Sequence, residues 1–522
     1  MLEGNQHKTI ETTEPASLIL TRQNLDSVRL RQNLSLDLVR LRQNLSLDLV
    51  FFYQKTCTVQ IKALPLRPKK HIVMKRKIYD QLLDWKRREN GHVALMIQGA
   101  RRVGKSFIVE QFARQEYKSY ILIDFAHLPE AIRKIFDLYL HETDKFLMYL
   151  QNALQIKLYE RESLIIFDEV QRYGKAREAI KYLVADGRYD YIETGSLISI
   201  MENSEDITIP SEERDIEMYP MDFEEFLWAL GDEMTMPFIR KCFENREGLG
   251  PIHRQTMDLF RQYMIVGGMP QAVAKYVETK DLQAVDIIKR DILSLYRKDI
   301  SRHAKGYETK VRALFDQIPS ELQKHEHRFR LSDIAKGARY RNYESSFLWL
   351  GDAKVALMCR NVTEPQVGMA MRTDNEAFKM YLLDTGLLLS QAFSEKIIQG
   401  EELYAKLLLN KLEVNAGLLI ENIVAQMFTA SGHKLFYYQK SDRENADNRM
   451  EIDFLIEKET LTNRHNICAV EVKSGKRFVT TSLDKFERKF TEQLSSSYVI
   501  YDGEYKYDGN RFFIPLYMAG LL

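Results

Sequence analysis

The sequence predicts an α/β chain: a parallel sheet with crossover helices, then a helical lid, a winged-helix-like middle segment and a C-terminal α/β domain of a different kind. Three observations predict it. Short runs of β-branched and apolar residues at 92–98, 120–125, 163–167 and 189–194 alternate with segments of helical composition, the pattern of strands joined through helices. A glycine-rich turn follows the first strand at once. Strand signals stop after Pro220, where helix formers take over to Ile300, and a mixed pattern of strands returns from Phe378.

Composition bounds the rest. The 522 residues carry 75 Lys+Arg against 74 Asp+Glu and are 45% hydrophobic, which excludes a disordered tail, a small disulfide scaffold and a polybasic coat protein. At about 100 to 200 residues per domain the length calls for three or four domains. The expected divisions are an extension over 1–73, a phosphate-binding core over 74–230, a helical lid over 231–304, a winged-helix-like domain over 305–376 and a final domain over 377–522. The extension repeats RLRQNLSLDLV at 29–39 and again at 40–50. Two copies make a poor solenoid, so it is expected to be disordered, and Met74 reads as a protein start in its own right. Its charge is unlike the rest: residues 1–73 hold 11 Lys+Arg against 6 Asp+Glu, and the remaining 449 hold 64 against 68. Four scattered cysteines without a C-x-x-C pair argue against zinc and disulfides and predict a reducing, cytoplasmic setting. No apolar run approaches the roughly 18 residues of a membrane span.

A helix from Ile78 and the strand His92–Gln98 lead into GARRVGKS (Gly99–Ser106). This matches G-x-x-x-x-G-K-[ST] between a strand and a helix, as a phosphate cradle requires. Backbone N–H groups wrap a phosphate only where no Cβ intrudes, hence Gly99 and Gly104; Arg101 and Arg102 flank it, Lys105 neutralises phosphate oxygens, and the Ser106 hydroxyl ligates Mg²⁺. The strand SLIIFDE (Ser163–Glu169) supplies Asp168 for the metal and Glu169 to polarise an attacking water. The strand ending YIETGS places Thr194 or Ser196 where a hydroxyl senses the terminal phosphate. ATP and Mg²⁺ are the implied ligands.

GARRVGKS, LIIFDEVQ and ETGSL resemble the P-loop, acidic strand and sensor strand of AAA-type ATPases in a prokaryotic group whose C-terminal domain carries no assigned function. PMDFEEFL (220–227), VGGMPQAV (266–273), YLLDTGLL (381–388) and LLIENIV (418–424) continue the resemblance from Met74 to the end. It implies an ATP-binding, ATP-hydrolysing protein. Arg214, after the sensor strand, is the candidate for an arginine that reaches a phosphate, in its own site or from a neighbour.

The C-terminal region orders Glu421 on a helix, Asp453 at the end of MEID, and Glu471 and Lys473 in a strand. Acids at strand ends can hold a divalent metal while a neighbouring lysine activates water. The order resembles the PD-(D/E)xK nuclease fold, a restriction-endonuclease-like domain, and implies a candidate nuclease site; the same spacing also arises as a surface ion pair or in a non-cutting binding module. The densest basic run, from Lys324 through Lys336, Arg339 and Arg341, lies in the helix-turn-helix-strand segment, which makes Arg339 and Arg341 candidate DNA contacts. Two readings emerge: an ATPase that drives a conformational switch, acting on DNA, or a nucleotide-gated binding module with little turnover and an inactive nuclease-like domain.

Overall fold

The computed structural model describes residues 74–195, 211–324, 329, 334, 338–393 and 416–522, with positions 443, 459, 461, 476 and 477 excepted. The extension over 1–73, Ser196 and most of the basic run at 324–336 lie outside the described residues. The first sheet joins β1 (Ala94–Gln98), β2 (Ser119–Asp124), β3 (Ser163–Asp168), β4 (Asp190–Gly195) and β5 (Glu213–Glu217) in the order 2-3-4-1-5. Every pairing is parallel. β1 and β3 are buried along their whole length, because helices cover both faces of such a sheet, and for that reason they read as unbroken apolar runs. Alternate side chains serve two cores. Leu95, Ile97, Leu164, Ile166 and Ile192 face one, and Ala94, Met96, Ile165, Phe167 and Tyr191 the other.

β4 is also buried, although its sequence is DYIETG. Its acids are matched inside the protein: Asp190 accepts from Tyr117 Oη at 2.6 Å and pairs with Arg161 at 2.7 Å, and Glu193 pairs with Arg177 at 2.6 Å. β5, ERDIE, carries no strand signal because it lies at the sheet edge with both faces charged, a common way to keep an edge from pairing further. Arg214 sits within this strand, in register with Leu95 near the start of β1, and pairs with Glu89 at 2.7 Å. The expectation that Arg214 reaches a phosphate of its own site is therefore corrected: it lies toward the opposite end of the sheet from the glycine-rich turn, paired with Glu89.

Helices Phe223–Ala229, Thr235–Asn245, His253–Val266, Pro270–Thr279, Leu282–His303 and Glu308–Leu322 follow. Asp222 and Glu225 form a reciprocal capping box at the first of them, satisfying two of its free N–H groups. In the middle segment the helix Glu344–Asp352 turns Phe347, Trp349 and Leu350 into the core. A second sheet then joins β6 (Ala356–Val362), β7 (Thr373–Leu382), β8 (Phe436–Lys440), β9 (Met450–Glu457), β10 (Ile467–Val472), β11 (Leu494–Tyr501), β12 (Lys506–Asp508) and β13 (Arg511–Pro515) in the order 12-13-11-10-9-8-6-7. The boundary expected between 376 and 377 falls inside β7, whose hairpin with β6 belongs to this second sheet. The described residues form one compact unit, and the first of these cores runs from Met74 through the helices to Ala519.

PMDFEEFL, VGGMPQAV, YLLDTGLL and LLIENIV, dispersed over two hundred residues of sequence, meet in that core. Met221 N donates to Gly268 O at 2.7 Å and Gly268 N donates to Asp384 Oδ2 at 2.6 Å. Asp384 also caps the helix Thr385–Ala392 through Leu387 N. Asn422 bonds both backbone groups of Leu382, at 2.8 and 3.1 Å, and Gln426 accepts from Thr385 N at 2.9 Å while donating to Tyr263 Oη. A Cβ on Gly268 would stand 2.1 Å from Met221 O, and one on Gly267, at φ +82°, 2.3 Å from Asp384 Oδ1. Gly268→Ala is expected to lower the unfolding free energy by about 1 to 3 kcal/mol, the usual cost of overpacking a filled core, as read from urea denaturation; an unchanged midpoint would show that the junction yields.

Candidate functional site

The turn Gly99–Gly104 leaves the end of β1 and enters the helix Lys105–Glu116. Gly99 has φ +153° and a Cβ there would lie 2.3 Å from Met218 O; Gly104 has φ +101°. Both positions thus exclude side chains for backbone reasons. Arg102 also takes a positive φ, +72°, and is exposed. A buried arginine missed in the sequence holds the turn from outside. Arg76 Nη1 donates to Val103 O at 2.9 Å, Nη2 to Tyr219 O at 2.7 Å, and Nε pairs with Glu225 at 3.1 Å.

Lys105 is buried, and its ammonium folds back on the turn, donating to Gly99 O at 2.8 Å and Ala100 O at 3.1 Å. Burial pushes its pKa down to about 8 against the pull of Glu169 and Asp168. A polyanion at this spot would raise the pKa again and favour the charged ammonium. Asp168, at the tip of β3, accepts from Ser106 Oγ at 2.8 Å and from Thr194 Oγ1. Ser106, Asp168 and Thr194 therefore converge. The hydroxyl of Ser106 and the carboxylate of Asp168 are hard oxygen donors already in contact, and they fit a magnesium ion.

Glu169 follows at φ +57°, a left-handed conformation that costs a non-glycine residue roughly 1 kcal/mol. Its carboxylate accepts from Gln171 Nε2 at 2.6 Å and its N–H reaches Thr194 Oγ1 at 3.4 Å. Lys105, Glu169, Gln171 and Arg172 line one side of a cleft whose other wall is Tyr296, Asp299 and His303 of the helix Leu282–His303, with Trp349 beneath. That helix is tied directly to the turn. Arg101 Nη1 pairs with Asp299 at 2.6 Å and Tyr296 Oη donates to Arg101 O at 3.0 Å. Nothing in the sequence marked Tyr296 or Asp299, since they have no local motif and act only through the fold.

The structure also brings Glu421, Asp453, Glu471 and Lys473 together, and adds two residues that no sequence motif marked. Glu451 lies two positions before Asp453 on β9, hence on the same face. Lys379, from β7, is fully buried between the acids: its Nζ lies 2.9 Å from Glu451, 3.6 Å from Asp453 and 3.7 Å from Glu421. Burial alone would discharge this ammonium, but Glu421, Glu451 and Asp453 hold its pKa well above the usual lysine value. Burial, with Glu421 beside it, lifts Asp453 to about 7. The outer oxygens are engaged too: Asp453 Oδ2 accepts from Val472 N at 2.8 Å, Glu421 from Tyr381 Oη at 3.1 Å, and Glu471 pairs with Lys473 at 2.7 Å.

A divalent ion does not fit this arrangement. The ammonium of Lys379 stands where the ion's charge would be required, and two cations a few ångströms apart inside a protein repel strongly. Among the described residues no group of three or more His, Cys, Asp or Glu side chains is arranged to hold a metal ion. Arg339 and Arg341 are exposed on the turn before the helix Glu344–Asp352.

Three stretches of the chain match known families. Residues 92–227 match the AAA domain, 257–396 a domain of unknown function (DUF8612) and 416–519 another (DUF4143). No curated protein matches the chain. Among solved structures, the Walker-type ATPase PABY2304 of Pyrococcus abyssi is 17% identical, covering 62% of this chain and 98% of its own, with a TM-score of 0.38. The ORC1 protein of Aeropyrum pernix, solved in complex with DNA, is 10% identical over 65% of this chain and 97% of its own, with a TM-score of 0.27. Cdc6p from Pyrobaculum aerophilum is 13% identical over 67% and 98%, with a TM-score of 0.23. The chain carries a P-loop domain of the AAA type over residues 92–227, the stretch that contains the turn Gly99–Ser106.

The buried lysine gives an expectation of its own. Lys379→Met leaves three carboxylates without their shared cation and should cost about 3 to 5 kcal/mol, as breaking a buried pair does. In an Asp168→Ala background, which removes the candidate magnesium site of the turn, thermal unfolding should be indifferent to EDTA and Mn²⁺, and adding Lys379→Met should make it partly restorable by Mn²⁺; stabilisation of the background protein by Mn²⁺ would contradict the misfit.

Proposed function

We propose that the protein binds ATP with magnesium and hydrolyses it to drive a conformational switch. The observation that carries the reading is the convergence of Lys105, Ser106, Asp168, Glu169 and Thr194 at the ends of three adjacent strands, beneath a turn already bonded to the helix Leu282–His303. Lys105 exchanges the carbonyls of Gly99 and Ala100 for phosphate oxygens. Ser106 and Asp168 are the residues that hold the magnesium ion, which screens phosphate charge when bound. Glu169 withdraws a proton from the attacking water and is released from Gln171 to do so. Arg101 is the switch element, because phosphate competes with Asp299 for its guanidinium; losing that pair leaves the helix tied to the turn by Tyr296 Oη alone.

In this reading the C-terminal domain does not cut nucleic acid, since its acids are neutralised internally by Lys379 and Lys473. The same observation favours the second reading, a nucleotide-gated binding module with slow turnover. DNA contact through Arg339 and Arg341 belongs to both readings. So does a cytoplasmic location, for which the support is that Cys242, Cys359 and Cys468 are free and buried. Among the described residues no helix is long and apolar enough to cross a membrane.

An assay of phosphate release should show steady turnover, reduced at least about a hundredfold by Lys105→Ala, while Glu169→Gln retains bound ATP with turnover abolished. Tightly held nucleotide that copurifies with negligible wild-type turnover would select the second reading; turnover surviving both substitutions would overturn the first.

A further inference from the structure

The helix that walls the nucleotide cleft has a second working face. At about 100° per residue, Tyr296, Asp299 and His303 lie together on the cleft side, and Ser294, Arg297, Lys298, Ser301 and Arg302 fall on the opposite side. With Arg312 from the helix Glu308–Leu322, these residues line a shallow groove open to solvent. Lys298, Arg302 and Arg312 are exposed. Asp316 at the rim takes part of the charge, pairing with Arg297 at 2.8 Å and Arg312 at 3.7 Å. Among the described residues, Lys298 and Arg302 have no acidic partner.

The local charge is out of keeping with the protein. Residues 294–312 hold six Lys/Arg against two acids, while residues 74–522 as a whole carry more acid than base. Lys310 Nζ donates to Asn342 O at 2.9 Å, which fastens the turn bearing Arg339 and Arg341 to the same helix, on a side about 160° around from Arg312.

We propose that this groove docks the phosphodiester backbone of duplex DNA. Guanidinium and ammonium groups interleaved with serine hydroxyls are phosphate chemistry, offering charge-assisted and neutral donors together. The groove is an open furrow, not an enclosed pocket, and so suits a continuous polyanion better than a small anion. Its position gives docking a consequence. Lys298 and Asp299 are successive residues, about 100° apart around the helix, so a phosphate held by Lys298 lies next to the residue that pairs with Arg101. This second step rests on the ATPase reading, whereas docking itself does not.

The test is anisotropy of a short fluorescein-labelled DNA duplex with the full chain across a salt series. The wild type should bind with an affinity that falls steeply as salt rises. Lys298→Glu combined with Arg302→Glu should weaken binding about tenfold or more at fixed salt and reduce the log–log salt slope by about two, one for each phosphate no longer neutralised. The charge-matched control Lys241→Glu with Arg254→Glu, on exposed positions outside the groove, should bind as the wild type does, and both variants should unfold at the wild-type temperature. Equal binding by the groove variant, an equal weakening in the control, or displacement of the duplex by polyglutamate at matched charge would each overturn the groove as a nucleic-acid site. Basal phosphate release should be unchanged in the groove variant, with only its stimulation by the duplex abolished. Duplex binding that depends on the groove in a protein without ATPase activity would sustain this proposal and overturn the catalytic reading alone.

Discussion

The architecture depends on a place where side chains are forbidden. At Gly267 and Gly268 the backbone between two helices passes so close to Met221 and Asp384 that a single methyl group would meet an oxygen within 2.3 Å. Met221 belongs to the segment that Arg76 clamps to the phosphate turn, and Asp384 to the end of β7 in the second sheet. The parallel sheet and the mixed sheet are thus joined by main-chain hydrogen bonds to a buried carboxylate, a junction with little freedom to slide. Burial lifts the Asp384 carboxyl, while Gly268 and Leu387 N–H groups and the neighbouring Lys289 pull it back. Such a group stays put only because every partner is in place.

From that junction the two ends of the molecule can be understood in the same terms. The glycine-rich turn is held by Arg76 from outside and by the inward-folded Lys105, which donates to its carbonyls. In the acid cage of the second sheet the counter-ion is part of the chain. Asn422 and Gln426, which hold the junction, share a helix with Glu421, which faces the cage. A rotation of this helix would therefore disturb both.

Much of this is legible in the sequence, and the reasons differ by residue. GARRVGKS and LIIFDE can be read because their chemistry is local: a tight turn, a hydroxyl and an acid at a strand end need only a few consecutive residues. The central strands show because both faces are apolar. β5 does not, since an edge strand with exposed faces has no hydrophobic period to display. Lys379 leaves a trace, a lone charge in the apolar run FKMYLL, but its role depends on three carboxylates brought by other elements. Tyr296 and Asp299 leave none, because a helix contact across nearly two hundred residues obeys no short-range pattern. The resemblance to a nuclease rests on acid spacing, and spacing does not reveal which cation occupies the space between.

The unbroken core bears on how such a protein can be taken apart. Leu95 and Ile97 beneath the phosphate turn, Phe260 and Tyr263 in the helical region and Met518 near the C-terminus belong to one apolar body. A fragment cut at residue 230 would strip the turn of the wall that carries Tyr296 and Asp299, and leave the faces of β1 and of the helix Phe223–Ala229 bare. Burial is worth roughly 25 cal/mol for each square ångström of apolar surface, so such a fragment would tend to stick to itself before it could work. The parts of this chain are not interchangeable beads; recombination or truncation must respect the whole span, and dissection is better done with point substitutions than with scissors.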